Sequence, residues 1–545
     1  MERYDVIVAG AGPVGLTLAI DLGQRGIRTL ILERNNSTGP WPKMDRSNAR
    51  TMEFYRRLGI ADQVRALGYP DDASMDVFIV TRLCDEPLLK LHYPTVAEFR
   101  QRISETTDHS QPLEPYQLVS QNKLEPLLKS VAEATPHVTV RYGCDVLSFH
   151  DMSDRVVIEY SDPDDNPVKV CSTYLVGCDG GSSTIRKQLG IKLEGQGNLR
   201  SMRQICFYSE QLYENIPMGK GRHYYFADAE GSALIVQGDR KEFTLNSDVP
   251  EDIDYESWVR EKVGPGIEFD FKLLNVSPWN LHLLLAEKYG NGRVFLAGDA
   301  AHLVIPTGGL GMNSGVGDAL DLSWKLSGTI KGWGGPGLLS SYEAERRPVG
   351  VKNVEASGWA AQGLGKWRAL HSPKLMEETR EGARERLRTA RSANLHHRRV
   401  HEMVGAEYGY SYAGSPLITP SQDTPAEWDT VRFLPRTDPG VRIPHIWLSD
   451  DSSILDRMGA YYTFVDLTGQ ADTSDIEDAF SHLHAPMVTF SQSEPHVQSV
   501  YGCKFLLVRP DLHIVWTGNV LPDHPRQLAR LAAGFDDTPP PVDVI

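Results

Sequence analysis

YDVIVAGAGPVG, residues 4–15, is the stretch that sets the fold. Residues 4–9 are a short β-branched run of the kind buried in a parallel sheet, and a helix through about Arg25 follows the glycines directly. Gly10 permits the tight turn, Gly12 lets the backbone approach a pyrophosphate, Pro13 and Val14 open the helix, and Gly15 lets that helix pack on the strand. Unpaired N–H groups at the helix start favour negative charge. A second strand, 29–32, ends in Glu33, placed to accept the hydroxyls of an adenosine ribose, with Arg34 beside it. Together these elements indicate a dinucleotide site. They do not separate FAD from NAD.

Two later segments bear on that choice. VFLA, 294–297, is another buried-strand run, and it delivers Gly298 and Asp299 to the carboxyl end of a sheet, where ligands of open α/β folds bind. Asp299 can accept from polyol hydroxyls. The chain then passes Pro306, Gly309 and Gly311 and opens a helix at Met312 and Asn313. A helix start built from small residues presents bare N–H groups to a planar ligand and favours the negative charge of a reduced flavin. Pro306 and its glycines would wall the ring, and Gly308, Gly309 and Gly311 leave it room to move. The third segment, 174–186, ends a strand in Asp179-Gly180 and starts a helix carrying Arg186; by itself it reads equally as a plain turn.

The bulk numbers agree with a small-molecule enzyme. The 545 residues, 41% hydrophobic and 23% charged, suit about three domains. The net charge of −16 and the lack of a basic block argue against nucleic acid. No run of about 18 uncharged apolar residues suggests a membrane span. The six cysteines show no C-x-x-C or metal spacing, which suits a reducing cytoplasm, and no metal site is expected.

The three segments, in this order and spacing, resemble the class A flavoprotein monooxygenases, the single-component FAD-dependent aromatic hydroxylases, and most closely their phenol hydroxylase and chlorophenol monooxygenase branch. PKMDRSNARTME (42–53) is similar to the family's P-R-A…R-T-M-E segment, with Lys43 in place of the usual Arg and Arg46 toward the cofactor. Gln121 falls where the family places a glutamine against FAD, and YEAERRP (342–348) resembles the Y-x-x-E-R-x-P that closes the FAD domain.

The resemblance implies an α/β fold with a glutathione-reductase-like Rossmann FAD domain (1–80, 112–190, 289–360) and an inserted mostly-β substrate domain (81–111, 191–288). A helical linker, 361–420, and a thioredoxin-like α/β domain, 421–545, complete it. The charged, helix-prone stretch between about 356 and 403 reads as a solvated connection rather than a site. The tail lacks a redox cysteine pair, so it is expected to be structural or dimer-forming, in a homodimer.

The implied cycle has NADPH or NADH reduce FAD, O₂ add at flavin C4a, and the C4a-hydroperoxyflavin pass one oxygen to an activated aromatic ring. Asp45 stands where the phenol hydroxylase branch carries its catalytic carboxylate, although a surface Asp paired with Lys43 or Arg46 explains it equally. His223, Tyr224 and Tyr225 lie on one strand, so either the Tyr224 phenol or the flanking pair points at substrate. Two rivals stay open: a flavin-dependent halogenase, whose tryptophan motif SPWN (277–280) approaches only loosely, and a non-catalytic protein reusing the FAD fold.

Overall fold

The computed structural model describes residues 1–420 and 428–535. Five parallel strands run side by side in the order Val294–Leu296, Pro167–Gly177, Glu2–Ala9, Thr29–Glu33, Val138–Tyr142. The chain starts in the middle strand, fills one side and then crosses to the other, so the switch point of this Rossmann sheet lies between Glu2–Ala9 and Pro167–Gly177. Val6, Ile7, Val8, Leu30, Ile31 and Val176 are wholly buried, each contributing about 1.5–3 kcal/mol on burial.

Gly10 ends the middle strand at φ 103°, and a Cβ there would lie 2.4 Å from the Cys178 carbonyl oxygen. Only glycine lets the two switch-point strands meet this closely. Helix Pro13–Gln24 then packs against helix Leu310–Lys331. Their first turns touch: a Cβ on Gly315 would sit 2.5 Å from Val14 Cγ2 and 2.9 Å from Gly298 Cα. This contact brings the remote Gly-rich stretch beside the opening turn.

The second sheet has seven strands, ordered Lys272–Asn280, Ser201–Tyr208, Glu242–Ser247, Ala233–Val236, His223–Phe226, Val77–Val80, Leu89–Leu91. Val77–Val80 therefore belongs to the substrate sheet, not to the cofactor segment 1–80, because it pairs with His223–Phe226 in parallel. The segment 81–111 also holds a helix, Val96–Glu105, started by a Thr95/Glu98 capping box.

Helix Pro336–Arg368 crosses the back of the molecule, and helix Arg380–His396 follows it. The expectation of a merely solvated connection over about 356–403 fails at both ends: Ala360 and Trp367 are buried in the first helix, and residues 397–408 turn inward, burying His397, Val400 and Met403. The apolar positions there are too few to give a periodic signal.

In the last unit, strands Met487–Ser491, Tyr462–Asp466, Phe505–Val508 and Ile514–Gly518 lie side by side, the first two parallel and the others antiparallel, with three helices. This is the thioredoxin-like order, and its cysteine, Cys503, is free and buried. Two buried ion clusters bind it to the FAD domain. Arg442 pairs with Glu53, which also holds Arg50. Arg509 contacts Glu345 through both oxygens at 2.7 Å, Asp321 at 3.1 Å and Asp511 at 2.7 Å, while Lys325 contacts Asp321 and Glu345. Burial alone would raise the Glu345 carboxyl; Arg509 and Lys325 instead hold it well below the ordinary range.

Candidate active site

One cavity of about 1330 Å³ runs from the opening glycines to the seven-stranded sheet. Its wall includes Gly10, Gly12, Pro13, Val14, Glu33 and Arg34 at one end and Pro306, Gly309, Gly311 and Met312 farther in; Arg46, Gln121, Asp179 and Asp299 also line it. A single extended ligand can therefore touch both glycine-rich loops.

The local chemistry fits a dinucleotide bearing a flavin. A Cβ on Gly12 would meet nothing within 4 Å, so the space in front of that backbone is open to a ligand. Helix Pro13–Gln24 begins at Gly12 without any side-chain cap, leaving its N–H groups for an anion. Glu33 already accepts from Ala11 N at 2.8 Å and Asn35 N at 2.9 Å, which aims its carboxylate across the turn. Helix Leu310–Lys331 likewise starts uncapped, at Gly309 with φ 65°.

Asp299 is open to the cavity but enclosed by protein on its other sides. Burial pushes its carboxyl up, against the pull of His302 and Lys43, and hydrogen-bond donors from a polyol would favour its charge. Asp179 accepts from Thr184 N and Ile185 N at 2.7 and 3.1 Å, which fixes the short helix carrying Arg186. Gln121 donates to Glu125 at the cavity edge.

Three expected cofactor contacts act indirectly. Asn313 accepts from Asn48 N (2.9 Å) and Thr51 Oγ1 (2.7 Å) and donates to the Arg46 and Gly309 carbonyls (2.9 and 2.6 Å). Its amide is fully engaged in clamping the Pro-Gly loop and does not reach the cavity. Gly298 and Gly15 lie behind the cavity wall: Gly298 N donates to Asp318 at 3.1 Å, and a Cβ on Gly15 would sit 2.1 Å from Gly10 O.

The family-like motifs are mostly joints. Tyr342 donates to the Leu296 carbonyl at 2.8 Å. Arg346 holds Asp318 at 2.8 Å, and His302 holds the same carboxylate at 2.9 Å. Burial would raise Asp318, but Arg346 and His302 keep it below the ordinary carboxylate range.

Beyond the Pro-Gly loop, the cavity meets the second sheet. Along His223–Phe226, alternate side chains face opposite ways, and His223 and Tyr225 line the cavity. Tyr224 does not. It is buried behind the sheet, stacked on Phe78 at 5.3 Å, with its hydroxyl donating to Gly219 O at 2.9 Å and accepting from Gly221 N at 2.8 Å. It is removed from the substrate candidates, since its polar tip is already satisfied.

Asp45 lines the cavity, paired with neither Lys43 nor Arg46. Its partner is Arg222, the buried neighbour of His223, which sequence reading passed over although it adjoins the candidates His223, Tyr224 and Tyr225. Arg46 instead pairs with Glu407 at 2.8 Å. Sequence reading also missed His401, which the inward turn sets 5.5 Å from His223 and 5.5 Å from His397, ring centre to ring centre. The run HHRRVH, 396–401, was visible as a histidine cluster, but its surroundings read as solvated. Burial and then the Arg46 charge push His401 down to about 3; burial and Arg222 put His223 well below its usual value. These imidazoles are neutral at physiological pH.

A Rossmann unit and a second sheet sharing one continuous cavity, with uncapped helix starts at its cofactor end and His223, Tyr225 and His401 on its inner wall, define a flavin-dependent aromatic hydroxylase. Residues 3–357 match the family described as FAD binding domain, and residues 436–537 match aromatic-ring hydroxylase, C-terminal. The chain belongs to the class A flavoprotein monooxygenases. It is 33% identical to the FAD-dependent monooxygenase apdD of Emericella nidulans, over 97% of this chain and 90% of that one. The rebeccamycin biosynthetic enzyme RebC with reduced flavin superposes with a TM-score of 0.89 at 30% identity, covering 98% and 99% of the two chains. A ternary complex of aklavinone-11 hydroxylase with FAD and aklavinone superposes with a TM-score of 0.82 at 27% identity, covering 99% and 100%. The activity is thus FAD-dependent aromatic hydroxylation. Among the described residues, no helix is long and apolar enough to cross a membrane, and no group of side chains suits a metal ion.

Proposed function

We propose that this hydroxylase acts on a planar, polycyclic phenol, with NADPH or NADH as reductant. The observation that carries the reading is that the cavity of about 1330 Å³ does not stop at the nucleotide grip but continues past the Pro-Gly loop to the second sheet, leaving room for a ring system beyond the cofactor. The neighbour solved with FAD and aklavinone together supports an aromatic occupant beside the cofactor. When bound, FAD supplies the electron transfer from nicotinamide and the activation of O₂.

The chain's own residues do the rest. Pro306 and the loop to Gly311 cover the ring-binding part of the cavity and exclude water from it. Asp45, at the same wall, accepts a hydrogen bond from the substrate hydroxyl, which raises electron density in the ring. Arg222 holds that carboxylate in place. Complete proton transfer to Asp45 would leave Arg222 as a buried, unpaired cation, a cost of about 2–3 kcal/mol with Asp45 partly solvated, so Asp45 polarises the hydroxyl and does not keep its proton. The histidines are no substitute as bases: at about 3, His401 holds a proton at pH 7 only at a cost of roughly 5 kcal/mol. They orient the substrate as neutral donors and acceptors.

The test is a panel of phenols of one to four fused rings, scored for stimulated oxidation of NADPH and of NADH, with peroxide measured alongside product. Tightly coupled turnover should appear with three or four rings. Coupled turnover confined to single-ring phenols would reject the reading.

A further inference from the structure

We propose that Arg200 and Arg368 form an anion subsite at the far end of the cavity, which takes a carboxylate group of the aromatic substrate. The proposal rests on the polycyclic reading above. Both residues line the cavity, and they reach it from different elements: Arg200 immediately precedes strand Ser201–Tyr208, and Arg368 ends helix Pro336–Arg368. Their tips converge on Gly231, another lining residue. A Cβ there would lie 2.7 Å from Arg200 Nη1 and 3.2 Å from Arg368 Nη1, so the two guanidinium tips close on one backbone position of the cavity wall, where only glycine leaves them room.

Two guanidinium groups meeting at one point of the cavity wall repel unless something negative lies against them. Arg200 has a carboxylate, Asp248 at 2.7 Å, and donates to Ala229 O at 2.9 Å. Arg368 donates to the Ser232 carbonyl at 3.1 Å, its Nε is buried without a partner, and among the described residues it has no carboxylate at ion-pair distance. The acids nearest by sequence, Asp228 and Glu230, are taken by Lys262 at 2.9 and 3.6 Å. Burial draws Arg368 down to about 10; Asp228 and Tyr225 only partly oppose this, and Arg200 adds to it. A carboxylate in the cavity against both tips would match the planar donor forks and relieve both burial and repulsion.

The position sets the length of the occupant. His223 pairs with Ile235 near one end of strand Ala233–Val236, whereas Gly231 lies just before the other end, beyond the Tyr225–Ala233 pair. A substrate with its hydroxyl at Asp45 and its acid at Gly231 must therefore be extended, as three or four fused rings are.

The experiment uses FAD-loaded enzyme and two probes, anthraquinone-2-carboxylate and anthraquinone-2-carboxamide, titrated by the change in flavin absorbance. Wild type should bind the acid roughly ten- to hundredfold more tightly than the amide, as charge-assisted hydrogen bonds do. Arg368→Gln should abolish that preference while leaving amide affinity within about twofold. Arg200→Gln should lower the preference in part, and it decides the matter with the wild-type comparison if Arg368→Gln does not fold. Equal binding of acid and amide to wild type, or a preference that survives Arg368→Gln, overturns the subsite and leaves the polycyclic reading standing. Binding of neither probe overturns both.

Discussion

Replacing Asp45 by Asn keeps the side chain's shape and removes its charge. Arg222 is then a cation only 2% exposed with no carboxylate, while Asp45 itself is 21% exposed toward the cavity. Breaking a fully buried pair costs about 3–5 kcal/mol; with one partner partly solvated, about 2–3 kcal/mol is expected. The lost acceptor also removes a charge-assisted hydrogen bond to substrate of about 1.5–3 kcal/mol, or roughly 10- to 150-fold in kcat/KM for hydroxylation. Because the nucleotide grip lies at the other end of the cavity, Asp45→Asn should stay yellow while product falls and peroxide rises. Adding Arg222→Leu separates the two effects. The double variant removes the stranded cation, so it should recover most of the lost stability in urea unfolding without recovering coupling. Unchanged product yield in Asp45→Asn, or recovery of coupling in the double variant, would refute the role assigned to this pair.

Gly12→Val should abolish FAD retention, seen as colourless protein, with little change in the stability of apoprotein, because its added carbons enter ligand space and not protein; retained flavin absorbance would count against the grip. Arg509→Met should cost about 3–5 kcal/mol at pH 7, since Glu345 and Asp321 lose their shared guanidinium. Glu345 is held below its unfolded value, so its contribution is present above about pH 4.5 and is lost as pH falls. The gap between wild type and Arg509→Met should therefore narrow on acidification, and a gap independent of pH in unfolding titrations would contradict this. Tyr224→Phe should cost about 1 kcal/mol in stability and leave the ratio of product to peroxide unchanged, whereas Tyr225→Phe, on the cavity face, should shift that ratio; equal ratios in both would reject the assignment of faces.

Residues 4–15 announce their structure because strand, turn and helix there are dictated by neighbours in sequence: buried β-branched residues, a glycine forced to φ 103° and a proline at the helix start. The same holds for the strand before Asp299 and for the loop 306–311. Alternation along His223–Phe226 limits the cavity-facing residues to two sets, but sequence does not say which face is inward; the packing of the sheet over the cavity, with Tyr224 stacked on Phe78 on the other side, resolves it.

What chain order by itself determined is the opening strand, turn and helix and the strand ends that carry Glu33 and Asp299, since each depends on contacts within a few residues; the layered α/β architecture followed from the resemblance of these segments to a known family. Only the tertiary structure joined Asp45 to Arg222, spent the Asn313 amide on the loop, and brought His401 and Arg368 to the cavity from a stretch that looks like solvated helix. Those pairings join residues that local propensity cannot relate. They exist because burying a charge or an amide requires a partner, and the fold decides which one is near.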